Sequence, residues 1–190
     1  MTVTQISSEP LERQIKFFES LHRRIKDDNG AKAALKRALS GEERHIRSTY
    51  SSVLPCIPDI NWQQELWILV ACLSVYYPQP FNRKNQQDFG YSCRGLANDT
   101  NSKGAERRFR ALLDTSLEDL QSPLTALIRQ IKTKEVRIDY PQLLADLCQW
   151  DHPDQYIQDR WARTFWGVSN LGEESPKSSS ENKDFEALAN

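Results

Sequence analysis

Apolar side chains recur three or four residues apart along most of this 190-residue chain, and few segments alternate apolar and polar residues. A spacing of three to four is typical of amphipathic helices, whereas alternation is typical of strands. Only seven glycines interrupt the pattern, and five Trp, six Tyr and seven Phe supply large side chains for a core. The sequence therefore predicts an all-α fold.

Three segments show the helical pattern most clearly. The first helix is predicted to close at Asn29 and Gly30, because glycine and asparagine favour helix C-caps. Residues 62–77 are apolar on nearly all sides, which predicts a buried central helix. Ser122 and Pro123 are predicted to be the N-cap and first residue of a later helix. The apolar face of the first helix consists of Leu11, Ile15, Phe18, Leu21 and Ile25.

Changes in composition divide the chain into parts. Two prolines at 78 and 80 are followed by a polar run, which is typical of a linker. We therefore predict a two-lobed helical bundle, with an N-terminal lobe at 1–81, a linker at 82–93 and a C-terminal lobe at 94–167. Residues 168–190 lack an apolar face that could offset the entropy of ordering, so they are predicted to be a disordered tail.

Cysteine usage and hydropathy indicate the cellular compartment of the protein. The four cysteines are spread without a C-x-x-C pair, and no apolar signal core follows Met1. The longest apolar stretch, residues 66–77, is shorter than the roughly 20 residues that cross a bilayer. We expect a cytoplasmic protein that does not contact a membrane.

Patterns for catalysis and metal binding are weak. Gly90 and Gly95 have the spacing of a phosphate loop, but Leu and Ala follow where Lys and Ser or Thr are needed. Cys148 and His152 stand four residues apart without two further zinc ligands nearby. No nucleophile has a base and an orienting carboxylate beside it. We expect no catalytic residue, no metal and no cofactor.

Charge is distributed unevenly, although the whole chain has a formal charge of −1. Without residues 168–190 the chain holds 23 basic and 21 acidic residues. Residues 22–47 contain eight Lys or Arg against four acids, and residues 94–137 contain nine against six. Residues 138–166 reverse the sign, with five Asp against two Arg. A polyanion ligand would therefore bind locally, along the two basic segments.

Helical spacing places the cations of these segments on outward faces, opposite the apolar residues of the same helices. They form either a phosphate-binding track or ordinary solvated faces. The guanidinium fork of arginine suits phosphate, which favours contact with a nucleic-acid backbone, and no recognition-helix pattern predicts sequence readout. The five tryptophans are predicted to be core anchors, with base stacking as the alternative, and they are Trp62, Trp67, Trp150, Trp161 and Trp166.

Several stretches recur in an order and spacing that are more specific than any one of them. They are GAKAALKRAL at 30–39, RGLA at 94–97, GAERRFRALL at 104–113, LTALIRQI at 124–131, IDYPQLL at 138–144, WD at 150–151 and RWARTFWG at 160–167. On these stretches, most of residues 11–167 resembles the CasB family, the small subunit of the type I-E CRISPR Cascade complex. Residues 168–190 extend past the usual end of that family.

The resemblance implies an all-helical, non-catalytic subunit that packs in head-to-tail pairs inside the complex. The implied partners are the guide RNA, the target DNA, the displaced non-target strand, the backbone and large subunits of Cascade, and a second copy of the chain. The family's basic positions fall here on Lys36, Arg37, Arg94, Arg107 and Arg108. To these are added Arg129 and Lys132, and, on helix geometry alone, Lys32 and Arg110. Lys36 departs from the arginine that is common at its position.

Such a subunit is expected to hold open the R-loop, in which guide RNA pairs with one DNA strand and the other is displaced. Two other classes stay open. A helical protein-interaction scaffold would use the basic clusters for acidic surfaces of partner proteins, without direct contact to nucleic acid. A small regulator or nuclease would bind a defined duplex sequence or cleave with metal.

Overall fold

A computed structural model describes residues 9–58, 63–80, 87–97 and 102–167 of the chain. Within these ranges there is no β-strand, and the all-α prediction is confirmed. The predicted tail, Trp62 and residues 82–86 of the predicted linker lie outside the described residues. The helices are α1 (Glu9–Ile25), α2 (Asn29–Ala38), α3 (Glu43–Arg47), α4 (Tyr50–Val53), a 3-10 turn (Leu54–Cys56), α5 (Gln64–Tyr76), α6 (Phe89–Ala97), α7 (Ser102–Leu113), α8 (Gln121–Thr133), α9 (Tyr140–Leu147) and α10 (Tyr156–Trp166).

Helix α5 is the buried central helix that its composition predicts. Every residue from Leu66 to Val75 except Leu69 is buried, including the polar Ser74. Helices α2 and α9 pack against it, and α8 adds a smaller contact. Ser74 satisfies its hydroxyl by donating a 2.8 Å hydrogen bond to the carbonyl of Ala71 within the helix. A helix that is apolar on all sides is stable only when neighbours cover all of it, as they do here.

The helices pack in two sets along the chain. Helices α1 to α5 pack together, and so do α6, α7, α8 and α10. Helix α9 follows α8 in the chain but packs on α1 and α5 of the first set, and α8 itself contacts α5. The hydroxyl of Tyr140 on α9 donates to the carbonyls of Leu73 (3.0 Å) and Tyr77 (2.8 Å). One hydrophobic cluster therefore runs through both sets.

Three predicted boundaries are wrong. Asn29 and Gly30 do not close α1 but lie in the first turn of α2, because the carboxylate of Asp28 accepts a 2.8 Å hydrogen bond from the amide of Ala31 and caps α2. Helix α8 begins at Gln121, before Ser122 and Pro123. Helix α6 begins at Phe89, so residues 89–93 of the predicted linker are helical.

Gly90 explains how closely α6 and α10 approach each other. A Cβ atom at Gly90 would lie 2.8 Å from the Cα of Trp161 and would overlap the carbonyl oxygen of Trp161. The aromatic rings of Phe89 and Trp161 pack beside this point, with centroids 5.2 Å apart. Among the described helices, α6 and α10 form the most extensive pair, and only glycine permits their backbones to touch here.

Candidate nucleic-acid interface

The last turn of α2 presents two cations to solvent. Ala34, Leu35 and Ala38 are buried, so Lys36 and Arg37 extend away from the core. In the part of the chain that the structure describes, neither side chain has a hydrogen-bond or ion-pair partner. Lys32, one turn earlier, differs because its ammonium donates a 2.5 Å hydrogen bond to the carbonyl of Lys26. Lys36 and Arg37 are therefore accessible to a ligand, whereas Lys32 stabilises the turn between α1 and α2.

The three arginines of α7 are exposed but differ in their surroundings. Arg107 has no hydrogen-bond or ion-pair partner among the described residues. Arg108 approaches α8, where the side-chain oxygen of Gln130, with its amide turned to face the guanidinium, accepts from Nε at 3.2 Å and Nη1 at 3.1 Å. Arg110 pairs with Glu106 at 2.7 Å and lies over the ring of Trp166. Of the three, Arg107 alone is exposed without a partner among the described residues.

Helix α8 places its two predicted cations in unlike positions. Arg129 is exposed and has no hydrogen-bond or ion-pair partner within the described ranges. Lys132 donates a 3.1 Å hydrogen bond to the carbonyl of Tyr76 and lies 4.1 Å from the centroid of that ring. The carbonyl is at the C-terminal end of α5, where the helix dipole favours a cation. Lys132 thus contributes to the contact between α8 and α5.

Arg94 lies one helical turn after Gly90 on α6. Its guanidinium packs over Gly167, where a Cβ atom would lie 3.1 Å from Nη2 and 3.2 Å from Cζ. Gly167 ends α10 in the left-handed conformation with φ of +72°, which favours glycine. The exposed Arg94 is therefore a cation at the C-terminal end of α10.

A groove between α7 and α8 brings together side chains that are distant in sequence. It has a volume of about 320 Å³, and its lining includes Arg108, Gln130 and Lys134 over a floor that contains Leu96 and Ala105. Lys134 was not among the predicted binding residues. No spacing in the sequence relates residue 134 to residue 108, because the two are adjacent only through the packing of α7 on α8.

The nine predicted residues lie on four helices, and two of them lie on different sides of α8. At about 100° per residue, Lys132 lies roughly 160° around α8 from Gln130. Gln130 meets Arg108 of α7, while Lys132 meets Tyr76 of α5. Arg108 and Lys132 therefore lie on opposite flanks of α8, and one straight phosphate-binding track along this helix would not contact both of them.

A buried carboxylate, which the sequence pattern did not identify, links three of the helices. Asp146 of α9 is 2% exposed and accepts hydrogen bonds from Gln142 (2.6 Å), Trp161 (2.7 Å) and Arg160. Burial raises the pKa of Asp146, and the nearby Arg160 opposes that rise. Arg160 also lies 3.8 Å from Asp88 at the start of α6. The network joins α6, α9 and α10.

Burial makes two of the cysteine thiols unreactive, and the described residues hold no cluster of metal ligands. Burial raises the pKa of Cys72 to about 12 and that of Cys148 to about 11, so neither forms the nucleophilic thiolate at neutral pH. No group of three or more His, Cys, Asp or Glu side chains in these ranges could hold a metal ion. None of the described helices is long and apolar enough to cross a membrane.

Comparison with known proteins decides the family. Residues 31–166 match the model of the CRISPR-associated protein Cse2 family, which is well over half of the chain. The chain belongs to the Cse2 family. A CRISPR-associated protein Cse2 from Thermus thermophilus is 28% identical over 152 residues, which cover 77% of this chain and 85% of that protein.

Solved Cse2 structures have the same fold. The crystal structure of CasB from Thermus thermophilus is 26% identical, with a TM-score of 0.64, and the match covers 81% of this chain and 97% of that chain. The resemblance to the CasB family is thus confirmed. A chain from a CRISPR RNA-guided surveillance complex has a TM-score of 0.67 at 18% identity, covering 84% of this chain and 94% of that one. This last likeness shows a shared fold.

Proposed function

We propose that the chain is a non-catalytic small subunit of a type I-E CRISPR surveillance complex that binds nucleic-acid backbone. In this proposal it stabilises the hybrid of guide RNA and target DNA and holds the displaced strand. Its other partners are the backbone and large subunits of the complex and a second copy of itself, arranged head to tail. Membership of the Cse2 family supports the assembly, and the cations described above support the contact with phosphates.

The observation that carries the proposal is a difference between two groups of exposed cations. Lys16, Arg44 and Arg47 each have a carboxylate within reach, Glu12 at 3.3 Å, Glu42 at 2.8 Å and Glu43 respectively. By contrast, no described carboxylate or hydrogen-bond acceptor pairs with the members of the other group, which are Lys36, Arg37, Arg107 and Arg129. Cations without an internal partner bind phosphate without first losing an ion pair.

The energetics of the R-loop explain why weak contacts matter. Exchange of a DNA duplex for an RNA–DNA hybrid is nearly balanced, so contacts to the backbone decide whether the loop stays open. When log K for binding is plotted against the logarithm of the salt concentration, the slope is negative, because binding releases counterions. Each phosphate that a cation neutralises on a single strand makes this slope steeper by about 0.7. If the five primary residues Lys36, Arg37, Arg94, Arg107 and Arg108 each neutralise one phosphate, the slope is about −3.5.

A pair of matched triple variants tests the proposal. Replacing Lys36, Arg37 and Arg107 by Gln removes three unpaired charges. Replacing Lys16, Arg44 and Arg47 by Gln removes three charges that already have carboxylate partners, so the net change is the same. Both variants are incorporated into the assembled complex with guide RNA. The lifetime of the R-loop on a target duplex is then measured between about 50 and about 200 mM salt, a range over which phosphate contacts change affinity strongly.

The first variant is expected to assemble normally, to shorten the R-loop lifetime and to reduce the salt slope by about 2. The control variant is expected to behave as the unsubstituted protein. Equal slopes for all three proteins would contradict phosphate binding by Lys36, Arg37 and Arg107. Loss of assembly in the first variant alone would favour the alternative function, a helical scaffold whose cations contact acidic protein surfaces.

A further inference from the structure

We propose that Trp166 stacks on an unpaired base of single-stranded nucleic acid, with Arg110 and Arg94 contacting the phosphates on either side. This inference rests on the proposed function and adds a base contact to it. The surface is named the Trp166 platform and consists of Trp166, Arg110, Arg94 and Gly167. Trp166 and Gly167 end α10, while Arg110 reaches them from α7 and Arg94 from α6.

Trp166 departs from the prediction that the tryptophans are core anchors. Trp67, Trp150 and Trp161 are at most 2% exposed and confirm that prediction, but Trp166 is 42% exposed. Tryptophan is among the largest apolar side chains, and an exposed one loses the stabilisation that burial would give. A single exposed apolar side chain is common on protein surfaces, so the residues around Trp166 decide whether it is a binding site.

The indole is held in place although it is exposed. Its ring centroid lies 4.9 Å from that of Phe165 and 5.8 Å from that of Phe109, both in edge-on arrangements. Phe109 and Phe165 are themselves buried and stacked, with centroids 4.2 Å apart and planes at 16°. These contacts fix the ring against the core, so a ligand meets a preorganised aromatic surface.

One guanidinium group lies over the indole, and a second packs against the next residue of the chain. The Cζ atom of Arg110 lies 5.2 Å from the ring centroid of Trp166. Arg94 packs over Gly167, the next residue along the chain, where a Cβ atom would lie 3.1 Å from its Nη2. The left-handed φ of Gly167 turns the chain at this point and leaves room for Arg94. Arg110 keeps a partner, Glu106, at 2.7 Å, so phosphate would compete with that carboxylate.

An aromatic face with cations beside it is the combination that binds single strands. Bases of a single strand stack on aromatic rings with little preference for sequence, while cations follow the backbone. In a duplex the base faces are already stacked, so the same surface would gain only the phosphate contacts. The guanidinium groups of Arg110 over the ring and of Arg94 at the next residue therefore favour an unpaired strand over an uncharged apolar partner.

The chain supplies a matched control for an exposed aromatic. Tyr156 begins the same helix, α10, and is 41% exposed, close to the value for Trp166. Its ring lies 4.9 Å from that of His152, and it has no arginine over it in the described part of the chain. Tyr156→Ala removes a similar exposed ring without touching the Trp166 platform.

The experiment titrates the full chain at low salt with labelled oligothymidylate, oligouridylate and a duplex of the same length. Each has about 20 nucleotides per strand, which exceeds the roughly 4 to 16 nucleotides that small single-strand sites cover. Trp166→Ala is expected to weaken binding of either single strand by about fivefold to a hundredfold, with the salt slope unchanged. Arg110→Gln is expected to reduce the slope by about 0.7. Tyr156→Ala is expected to bind as the unsubstituted chain does.

Fluorescence gives a second measurement that does not depend on the alanine variant folding. Stacking on a base is expected to quench part of the tryptophan emission, and Trp166→Phe is expected to abolish that quenching while keeping most of the affinity. A difference between the thymidylate and uridylate titrations would identify the DNA or the RNA strand as the one bound.

Different failures separate the two proposals. One outcome overturns stacking and leaves backbone binding in place. In it, the unsubstituted chain binds oligonucleotides with a steep salt slope but shows no quenching of tryptophan emission, and Trp166→Ala binds as tightly as the unsubstituted chain. An equal loss of duplex binding in Trp166→Ala would also overturn stacking. If the unsubstituted chain binds no oligonucleotide at low salt, both proposals are overturned. If Trp166→Ala disrupts assembly of the complex without changing oligonucleotide binding, stacking is overturned and the platform contacts protein instead.

Discussion

The indole nitrogen of Trp161 donates a 2.7 Å hydrogen bond to Oδ2 of Asp146, a carboxylate that is 2% exposed. Oδ1 of the same carboxylate accepts from Gln142 and Arg160, so both oxygens are satisfied. Trp161 and Arg160 lie on α10, whereas Asp146 and Gln142 lie on α9. One buried acid therefore links the helix that packs on α1 and α5 to the helix that packs on α6.

Asp146→Ala is expected to destabilise the fold by about 2 to 4 kcal/mol, because it leaves the buried Trp161 donor without a partner and separates Arg160 from its main carboxylate. The lower end of that range reflects the partial exposure of Arg160, whose side chain is 43% accessible. Urea unfolding measures the change. The matched control is Asp151→Ala, an exposed aspartate, which is expected to change stability by less than about 0.5 kcal/mol. Equal stability of the two variants would contradict a stabilising role for Asp146.

The raised pKa of Asp146 predicts a particular pH dependence. Burial lifts the pKa of the folded state above the ordinary value of 3.8, so the folded chain holds this proton more tightly than the unfolded chain does. The resulting contribution to stability is complete below pH 3.8 and is lost as the pH rises through the folded pKa. Asp146→Asn cannot ionise, so the stability advantage of the unsubstituted chain over this variant is expected to be greater at acid pH than at neutral pH.

Urea unfolding of the two proteins at several pH values measures this difference. Asp139, whose pKa burial also raises, is present in both proteins and largely cancels in the comparison. An advantage that grows from acid to neutral pH would mean that Arg160 and the hydrogen bonds outweigh burial at Asp146.

Gly90→Ala is expected to destabilise the fold by about 2 kcal/mol or more, since its methyl group would overlap the Trp161 carbonyl and force α6 away from α10. Gly104→Ala is the matched control within α7. There the added Cβ would lie 3.4 Å from Nη1 of Arg108, the mobile end of a long side chain. Because alanine favours helices more than glycine does, Gly104→Ala is expected to be neutral or stabilising by up to about 1 kcal/mol. Thermal unfolding distinguishes the two, and a neutral Gly90→Ala would contradict the close backbone contact.

Residues 168–190 carry five acidic side chains and two lysines, and they continue directly from Gly167, against which Arg94 packs. At about 3.5 Å per residue, the chain from Gly167 to Glu173 can span at most roughly 20 Å. Replacing the five acids by their amides is expected to increase affinity for single strands at low salt, because it removes a nearby competitor for the cations. The increase is expected to disappear at high salt, where charges are screened. Replacing Lys177 and Lys183 by Gln is expected to have the opposite sign, and an equal effect of both variants would exclude an electrostatic cause.

The sequence predicted the helices well where apolar spacing was strong and failed where local signals competed. The spacing of Phe18, Leu21 and Ile25 placed them in the core, and all three are buried. The Asn29-Gly30 pair suggested a helix end. Instead, the neighbouring Asp28 accepts a hydrogen bond from the amide of Ala31 and caps a new helix. Such a choice depends on which side chain reaches the free backbone donor, and composition does not show that.

For the candidate interface, the sequence predicted which cations are exposed, but it did not predict which of them already contact another helix. All nine predicted cations lie on outward or partly exposed positions. Lys132 and Arg110, however, contact Tyr76 and Trp166, which belong to other helices. Lys134 shares a groove with Arg108 although nothing in the spacing relates them. Helical periodicity gives the direction of a side chain around its own axis, and it gives no distance to a neighbouring helix.

Local spacing and the order of recognisable stretches were thus enough to specify helices, a family and the outward faces of its cations, since all of these are properties of short segments. The packing of helices decided the rest. It placed α9 against the N-terminal helices, buried Asp146 in contact with Arg160, and left Trp166 exposed with Arg110 over its ring. These relationships join residues far apart in the chain, and they exist only once burial of apolar surface has brought the helices together.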